Sequence, residues 1–407
     1  MSPVPTSTKT LTASEDLTPD VSIKSNGISN GKGKVISNGN GVKNGYSNGV
    51  QKPKVKFYEG IHKDFVKCQS PEEEELMYAN TPVKIVWRNV AIFAYLHAFA
   101  AYGAYLWLSG QVMWQTFLWG FHYYIMSGFG ITAGTHRYWA HKSYKAKMPL
   151  QIFLAYMQTI AFQNSIHEWC RDHRLHHKYT ETNADPHNAK RGFFFAHMGW
   201  LMARKHEAIK IKGKGLDMSD LEADPVVMFQ KKWYLLLVLF GCFVIPTLVP
   251  WIFWGESLKV AFFFAAMFRY CATLHCTWLV NSAAHLWGPR PYDNRINPAE
   301  NKTVSWWAFG EGWHNYHHVF PWDYKTAEVG VYRYNFSAAF IDFFAKIGWA
   351  YDLKTVPEHI VKARVARTGD GTHEEFHGGP WGWGDNDIAV EAVEVTETLY
   401  AQDKKSE

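Results

Sequence analysis

Cysteine is scarce in this 407-residue chain and follows no pattern. Cys68, Cys170, Cys242, Cys271 and Cys276 are odd in number and partly inside apolar stretches, so they exclude a disulfide framework and read as reduced thiols, not a thiolate metal site. The first 56 residues lack an apolar core, which excludes a secretory signal. Ser-Asn-Gly recurs there at positions 25, 29, 37 and 47, and such a composition cannot bury enough surface to offset chain entropy. Residues 1–56 are therefore expected to be a disordered tail. Charge is sparse as well, at 19% of residues with a net +5, and no nucleic-acid partner is expected.

The missing charge is concentrated in four apolar runs, roughly 90–109, 112–133, 233–254 and 258–281. A mean hydropathy of −0.24 conceals them. Each is near the ~20 residues that cross a bilayer as a helix. Short connections at 110–111 and 255–257 make two hairpins. Two further stretches, near 150–162 and 336–350, are short or interrupted by Asp342 and Lys346, and are expected to be interfacial or buried helices. The sequence thus predicts an all-α integral membrane protein: four transmembrane helices in two hairpins, with a helical cap. Lys142, Lys145, Lys147, Arg204, Lys205, Lys231 and Lys232 mark the cap side as cytosolic, and both termini follow it. Sequons at Asn301 and Asn335 then face the cytosol and carry no glycan.

What is abundant is histidine. His173/His176/His177 and His314/His317/His318 repeat one spacing, and His136 and His141 precede them. Residues at i, i+3 and i+4 share a helix face, so each triplet is expected to aim three imidazoles at one point. An even number of crossings separates the clusters, so all share one side of the membrane. His285 and Asn281 lie one turn apart at the end of the fourth run. Nine imidazoles exceed one ion's needs, and nitrogen-only ligation excludes calcium and magnesium. Iron that activates dioxygen fits such a site, with copper, nickel and zinc not excluded by ligand type. A metal transporter or sensor is disfavoured, since polar groups inside the runs are few, chiefly Asn281, His275 and Arg269.

HRYWAH (136–141), HRLHHKYTETNADPHN (173–188), NSAAHLWG (281–288), GEGWHNYHH (310–318) and the closing RTGDG (367–371) resemble the animal membrane-bound acyl-CoA desaturases, the stearoyl-CoA Δ9-desaturase group, from about Val83 to Gly371. The resemblance implies a desaturase domain over 57–371, followed by a cytosolic tail at 372–407. It implies a di-iron centre of two iron ions held by His136, His141, His173, His176, His177, His285, His314, His317 and His318, with Asn281 holding a water. It implies long-chain acyl-CoA and dioxygen as substrates, cytochrome b5 with its reductase as electron donor, and residence in the endoplasmic reticulum membrane. The expected chemistry is a cis double bond at Δ9. An unactivated methylene has no acidic proton, so an oxidised metal, not a side-chain base, must take its hydrogen. Desaturation at another position, acetylenase or hydroxylase activity are the neighbouring alternatives.

By matching motif, Asn164, Arg171, Asp172, Arg204 and Lys205 are expected to hold the CoA head group. Gln163, Trp169, Thr277 and Trp278 would shape the bend of an acyl tunnel, and Tyr124 and Gly128 its blind end. Gly128 stands where the family more often has Ala. Glu168, Asp185 and Glu311 are expected to orient imidazoles. Lys404-Lys405 resembles a dilysine retrieval signal. His377-Gly378-Gly379-Pro380 has the wrong order for a cytochrome b5 haem motif, so the donor is expected to be a separate protein.

Overall fold

The computed structural model describes residues 68–328 and 332–373. The expected tail at 1–56 lies outside the described residues, as does 372–407 apart from Thr372 and His373, and with it the 377–380 motif and Lys404-Lys405.

Among the described residues the fold is helical, with one two-stranded antiparallel ribbon pairing Lys145 with Tyr351 and Ala146 with Ala350. Three helices are long and apolar enough to cross a membrane: Trp87–Leu108, Pro225–Trp254 and Leu258–Leu286. At about 1.5 Å per residue, each covers the ~30 Å of a hydrocarbon core. Leu108, Leu235 and Phe253 on them are at least three-quarters exposed, an outward apolar face that hydrocarbon accepts and water does not. The remaining expected span, at 112–133, falls on Trp114–Phe129, which runs unbroken into a wider-turned segment, Gly130–Ala140. Its Gly, Tyr, Thr and His residues make it less apolar than the other three.

Both turns sit at one end of the helices. Gly110 and Gly255 adopt left-handed φ values of 74° and 71°, which a side chain would resist. Buried Glu256 in the second turn accepts from Met113 N at 2.9 Å and Thr116 Oγ1 at 2.8 Å beside the first. Halfway along, buried Arg269 donates to Ile160 O and Cys242 O, both at 2.9 Å. Cys242 lies in a π-helical stretch, Leu239–Val244, where the widened ladder accommodates the guanidinium bond. At Gly130 a Cβ would come within 2.2 Å of the Met157 and Gln158 backbone, so glycine lets two helices cross in contact.

The cap grows from the opposite end. Met148–Ala161 buries Leu150, Leu154, Met157 and Ile160, and is too short to cross a bilayer, as its sequence suggests. Ser165 caps the helix Ile166–Tyr179, its Oγ accepting from Glu168 N at 3.3 Å and its hydroxyl donating to Glu168 Oε2 at 3.2 Å. The sequons have structural roles: Asn301 caps Lys302–Trp307, and fully buried Asn335 caps Phe336–Lys346 while accepting from Arg137.

Candidate metal centre

All nine expected histidines converge, in two adjacent groups. His136, His141, His173, His177 and His317 form one; His176, His285, His314 and His318 form the other. Within each group the ligand atoms lie within 4.8 Å of one another. The groups touch where His177 and His318 stack, with centroids 4.2 Å apart.

Each triplet is split between the groups, contrary to the expectation that it aims at a single point. A helix turns about 100° per residue, so i and i+4 differ by about 40° while i+3 points about 60° to the other side. His173 and His177 therefore serve the first group and His176 the second. His314 and His318 serve the second and His317 crosses to the first. The His136/His141 pair needs a different device, since five residues apart on an α-helix diverge by about 140°. The π-helical Gly130–Ala140 supplies it: His141 N donates to His136 O at 3.1 Å, an i+5 bond that brings the rings to 4.9 Å. His136 and His285 ride on helices that run past their expected ends at 133 and 281.

The nitrogen positions fit metal ions. Nε2···Nε2 separations are 2.9 Å for His136–His317, 2.8 Å for His141–His173, 2.9 Å for His177–His317, 3.0 Å for His285–His314 and 3.2 Å for His314–His318. Imidazoles bound at ~2.0–2.1 Å and at right angles would place their nitrogens ~2.9 Å apart. Two of the rings are held with Nε2 turned to the centre. His176 Nδ1 donates to Asp185 Oδ1 at 2.9 Å, and His136 Nδ1 makes an off-axis contact with Glu311 Oε2 at 2.8 Å. With the hydrogen on Nδ1, Nε2 keeps a lone pair aimed at its neighbours.

Burial holds His141, His173, His177, His314, His317 and His318 well below the ordinary imidazole range, and neighbouring imidazoles add to it. All six are neutral and able to ligate near pH 7. Burial alone would raise Asp185, but His176 outweighs it and the carboxyl lies at about 2. Glu311 is likewise held down, against its burial, by fully buried Arg137 and by His136.

The carboxylate expectations divide. Asp185 and Glu311 reach imidazoles; Glu168 does not, because its carboxylate accepts from the Ser165 hydroxyl at the helix start. Sequence reasoning missed Glu181, whose Oε1 lies 3.4 Å from His285 Nδ1. Only its place inside the 173–188 motif hinted at a role.

Two cavities meet this centre. A wide one of about 760 Å³ is lined by Asn164, Gln163, Trp169, Asp172, Thr277, Trp278 and Asn281 among others. A narrow one of about 50 Å³ is lined by Tyr124, Gly128, Phe309, His136, His173 and His314 among others. Trp169, His173, Thr277 and Asn281 belong to both linings. At their junction Gln163 Nε2 donates to Thr277 Oγ1 at 2.9 Å, and Trp169 stacks on His173 at 4.7 Å. Arg171 and Lys205 both bind Asp172, at 2.9 and 2.5 Å. Arg204 is fixed through its backbone N to Lys84 O at 2.8 Å. Arg88 and Asn89 also line the wide cavity and were missed by motif reasoning, because they begin a span.

Long apolar helices that end in two adjacent, nitrogen-only polyhistidine clusters able to hold metal, beside a largely apolar cavity, define a membrane-type protein with a candidate metal centre. Residues 117–354 match the profile of the fatty acid desaturases, and the chain belongs to that family. It is 60% identical to an acyl-CoA Delta-9 desaturase of Acheta domesticus over 76% of this chain and 85% of that one. Identity is 56% to an acyl-CoA Delta12-desaturase of the same species, over 77% and 86%. It is 54% to the stearoyl-CoA desaturase of Homo sapiens, over 72% and 80%.

Proposed function

We propose that this chain desaturates long-chain saturated acyl-CoA at Δ9, leaving a cis double bond. The observation that carries the reading is the junction of the two cavities, where Trp169, His173, Thr277 and Asn281 are shared beside the nine imidazoles. In this reading Arg171, Arg204 and Lys205, with Asn164 and Asp172, take the CoA head group at the cytosolic mouth, since phosphates favour guanidinium and ammonium partners. The acyl chain passes along Phe93, Leu96 and Trp278, bends at the Gln163–Thr277 bond, and ends against Tyr124, Gly128 and Phe309. The bend presets a cis product.

The nine histidines hold two irons, with Asn281 positioning a water, and the irons when bound supply dioxygen activation. Asp185, Glu181 and Glu311 fix ring orientation and keep Nε2 free. Trp169 covers the shared wall and excludes water from the reacting methylenes. Balance requires two electrons and two protons from outside, with two waters as co-product. Cytochrome b5 and its reductase supply the electrons, docking on the cap by charge. In this reading the chain crosses the endoplasmic reticulum membrane four times, with the cap and both termini on one side, and the basic residues of the cap make that side the cytosolic one.

The Delta12 relative of Acheta domesticus, nearly as similar as the Delta-9 one, sets the second reading. Mass spectrometry of lipids from a desaturase-deficient cell expressing this chain separates the two. Δ9 monoenes are expected. A Δ12 product would replace the regiochemistry, and a saturated profile would overturn the function.

A further inference from the structure

Between Trp87–Leu108 and Leu258–Leu286, three imidazoles form a line that the paired centre does not use. His97 Nε2 lies 3.1 Å from His275 Nε2, and His275 Nδ1 lies 2.9 Å from His197 Nε2. Both ends of the line are fixed. His97 Nδ1 sits 2.6 Å from Phe93 O, a carbonyl that only accepts, so this nitrogen carries a hydrogen. His197 Nδ1 sits 3.0 Å from Ser282 Oγ, whose single hydrogen goes to Trp278 O at 2.8 Å. His197 Nδ1 is therefore a donor too.

Hydrogen bookkeeping along the neutral line then reaches a gap. His197 Nε2 is bare and accepts from His275 Nδ1. That leaves His275 Nε2 bare, facing the bare Nε2 of His97. Two lone pairs at 3.1 Å repel unless something positive lies between them. An added proton would leave an imidazolium in an apolar helix pair, where no carboxylate acts on His197 or His275. Cys271 Sγ, on a buried side chain, and one ring nitrogen of each of His97 and His275 lie within 4.8 Å of one another.

We propose that His97, Cys271 and His275 form a third metal site, for one zinc-class ion held by two imidazoles and a thiolate. The donor set suits that class: a borderline-soft ion takes nitrogen and sulfur, prefers tetrahedral geometry, and leaves a fourth position for water. Binding replaces the thiol hydrogen, which departs as a proton. His197 does not ligate; it orients His275 through the second ring nitrogen. The site departs from the sequence expectation that no cysteine serves a metal. Trp278 packs on His275, His197 and Phe93 at centroid distances of 5.1, 5.6 and 5.8 Å. Occupancy would thus tie the first long helix to a wall of the wide cavity.

Cobalt(II) titrated into the purified full-length, iron-loaded protein tests this. The paired centre offers only imidazoles, so a sulfur-to-cobalt charge-transfer band in the near ultraviolet reports thiolate ligation, and its loss in Cys271→Ser assigns it among the five thiols. The band should saturate at one equivalent, disappear on adding zinc, vanish in Cys271→Ser and survive His317→Ala. His275→Asn should weaken cobalt binding at least tenfold while iron content and turnover stay unchanged, and it carries the test should Cys271→Ser fail to fold. Absence of the band, its persistence in Cys271→Ser, or its indifference to His275→Asn would each overturn the site.

Discussion

Replacing Gly128 with alanine tests the blind end of the cavity most directly. A Cβ there would lie 2.2, 2.6 and 2.7 Å from Phe309 Cε2, Cδ2 and Cζ. Carbon contacts settle at ~3.5–4.0 Å, so the ring must retreat by more than about 1 Å. Phe309 is hemmed in by Tyr124 and Phe129, each with its centroid 5.3 Å away, and its open side is the narrow cavity it lines. Overpacking of this kind costs ~1–3 kcal/mol. Where the displaced ring occupies the space of a terminal methylene, discrimination changes by about 1–3 kcal/mol, or ~10–200-fold. The ratio of kcat/KM for palmitoyl-CoA over stearoyl-CoA should therefore rise at least about tenfold in Gly128→Ala, with iron content unchanged, and Gly128→Leu should exaggerate the shift. The assay is a competition between the two substrates with product analysis. An equal fall for both would refute the reasoning and leave Gly128 as a packing residue only.

Four further outcomes are expected. His317→Ala should abolish turnover and lower bound iron without preventing membrane insertion, as metal analysis of the membrane fraction would show. Asp185→Ala removes the acceptor of His176 Nδ1 and should weaken iron binding ~10–100-fold in a titration. Burial raises the Glu300 carboxyl to about 8, so the folded chain keeps a proton that the unfolded chain releases near its ordinary value. Stability contributed by that proton falls as pH rises from about 4.5 to 8, by at most about 1.4 kcal/mol per unit; Glu300→Gln should flatten the dependence of Tm on pH in this window. Replacing Lys404 and Lys405 with serine should let part of the protein leave the endoplasmic reticulum; an unchanged distribution by microscopy would assign retention elsewhere.

The helices were legible because hydropathy and length are local properties, and Trp87–Leu108 begins within three residues of its expected start. Their cap-side ends were not. Pro225, with Asp224 as its cap, starts a helix eight residues before the apolar run, and Leu258–Leu286 outlasts its run to carry His285. Histidine identity was legible from spacing and motif, but partition was not, because it depends on where two helix axes point relative to a shared centre. The π-helical stretch that aligns His136 with His141 depends on i+5 bonds, and spacing rules built on α-helices do not contain it. Carboxylates were the least legible: Glu168 faces a local cap and Glu181 reaches a distant ring, and both lie in the same polar stretch.

The crossing of His176 and His317 to opposite groups makes the two cap helices a cross-brace. The helix carrying His136 serves only the first group and that carrying His285 only the second, yet both depend on Ile166–Tyr179 and His314–Val319. Neither group is built without a histidine from each of these two helices. A shift of either cap helix therefore displaces nitrogens of both groups at once, as a bar fixed at two points moves both when it moves.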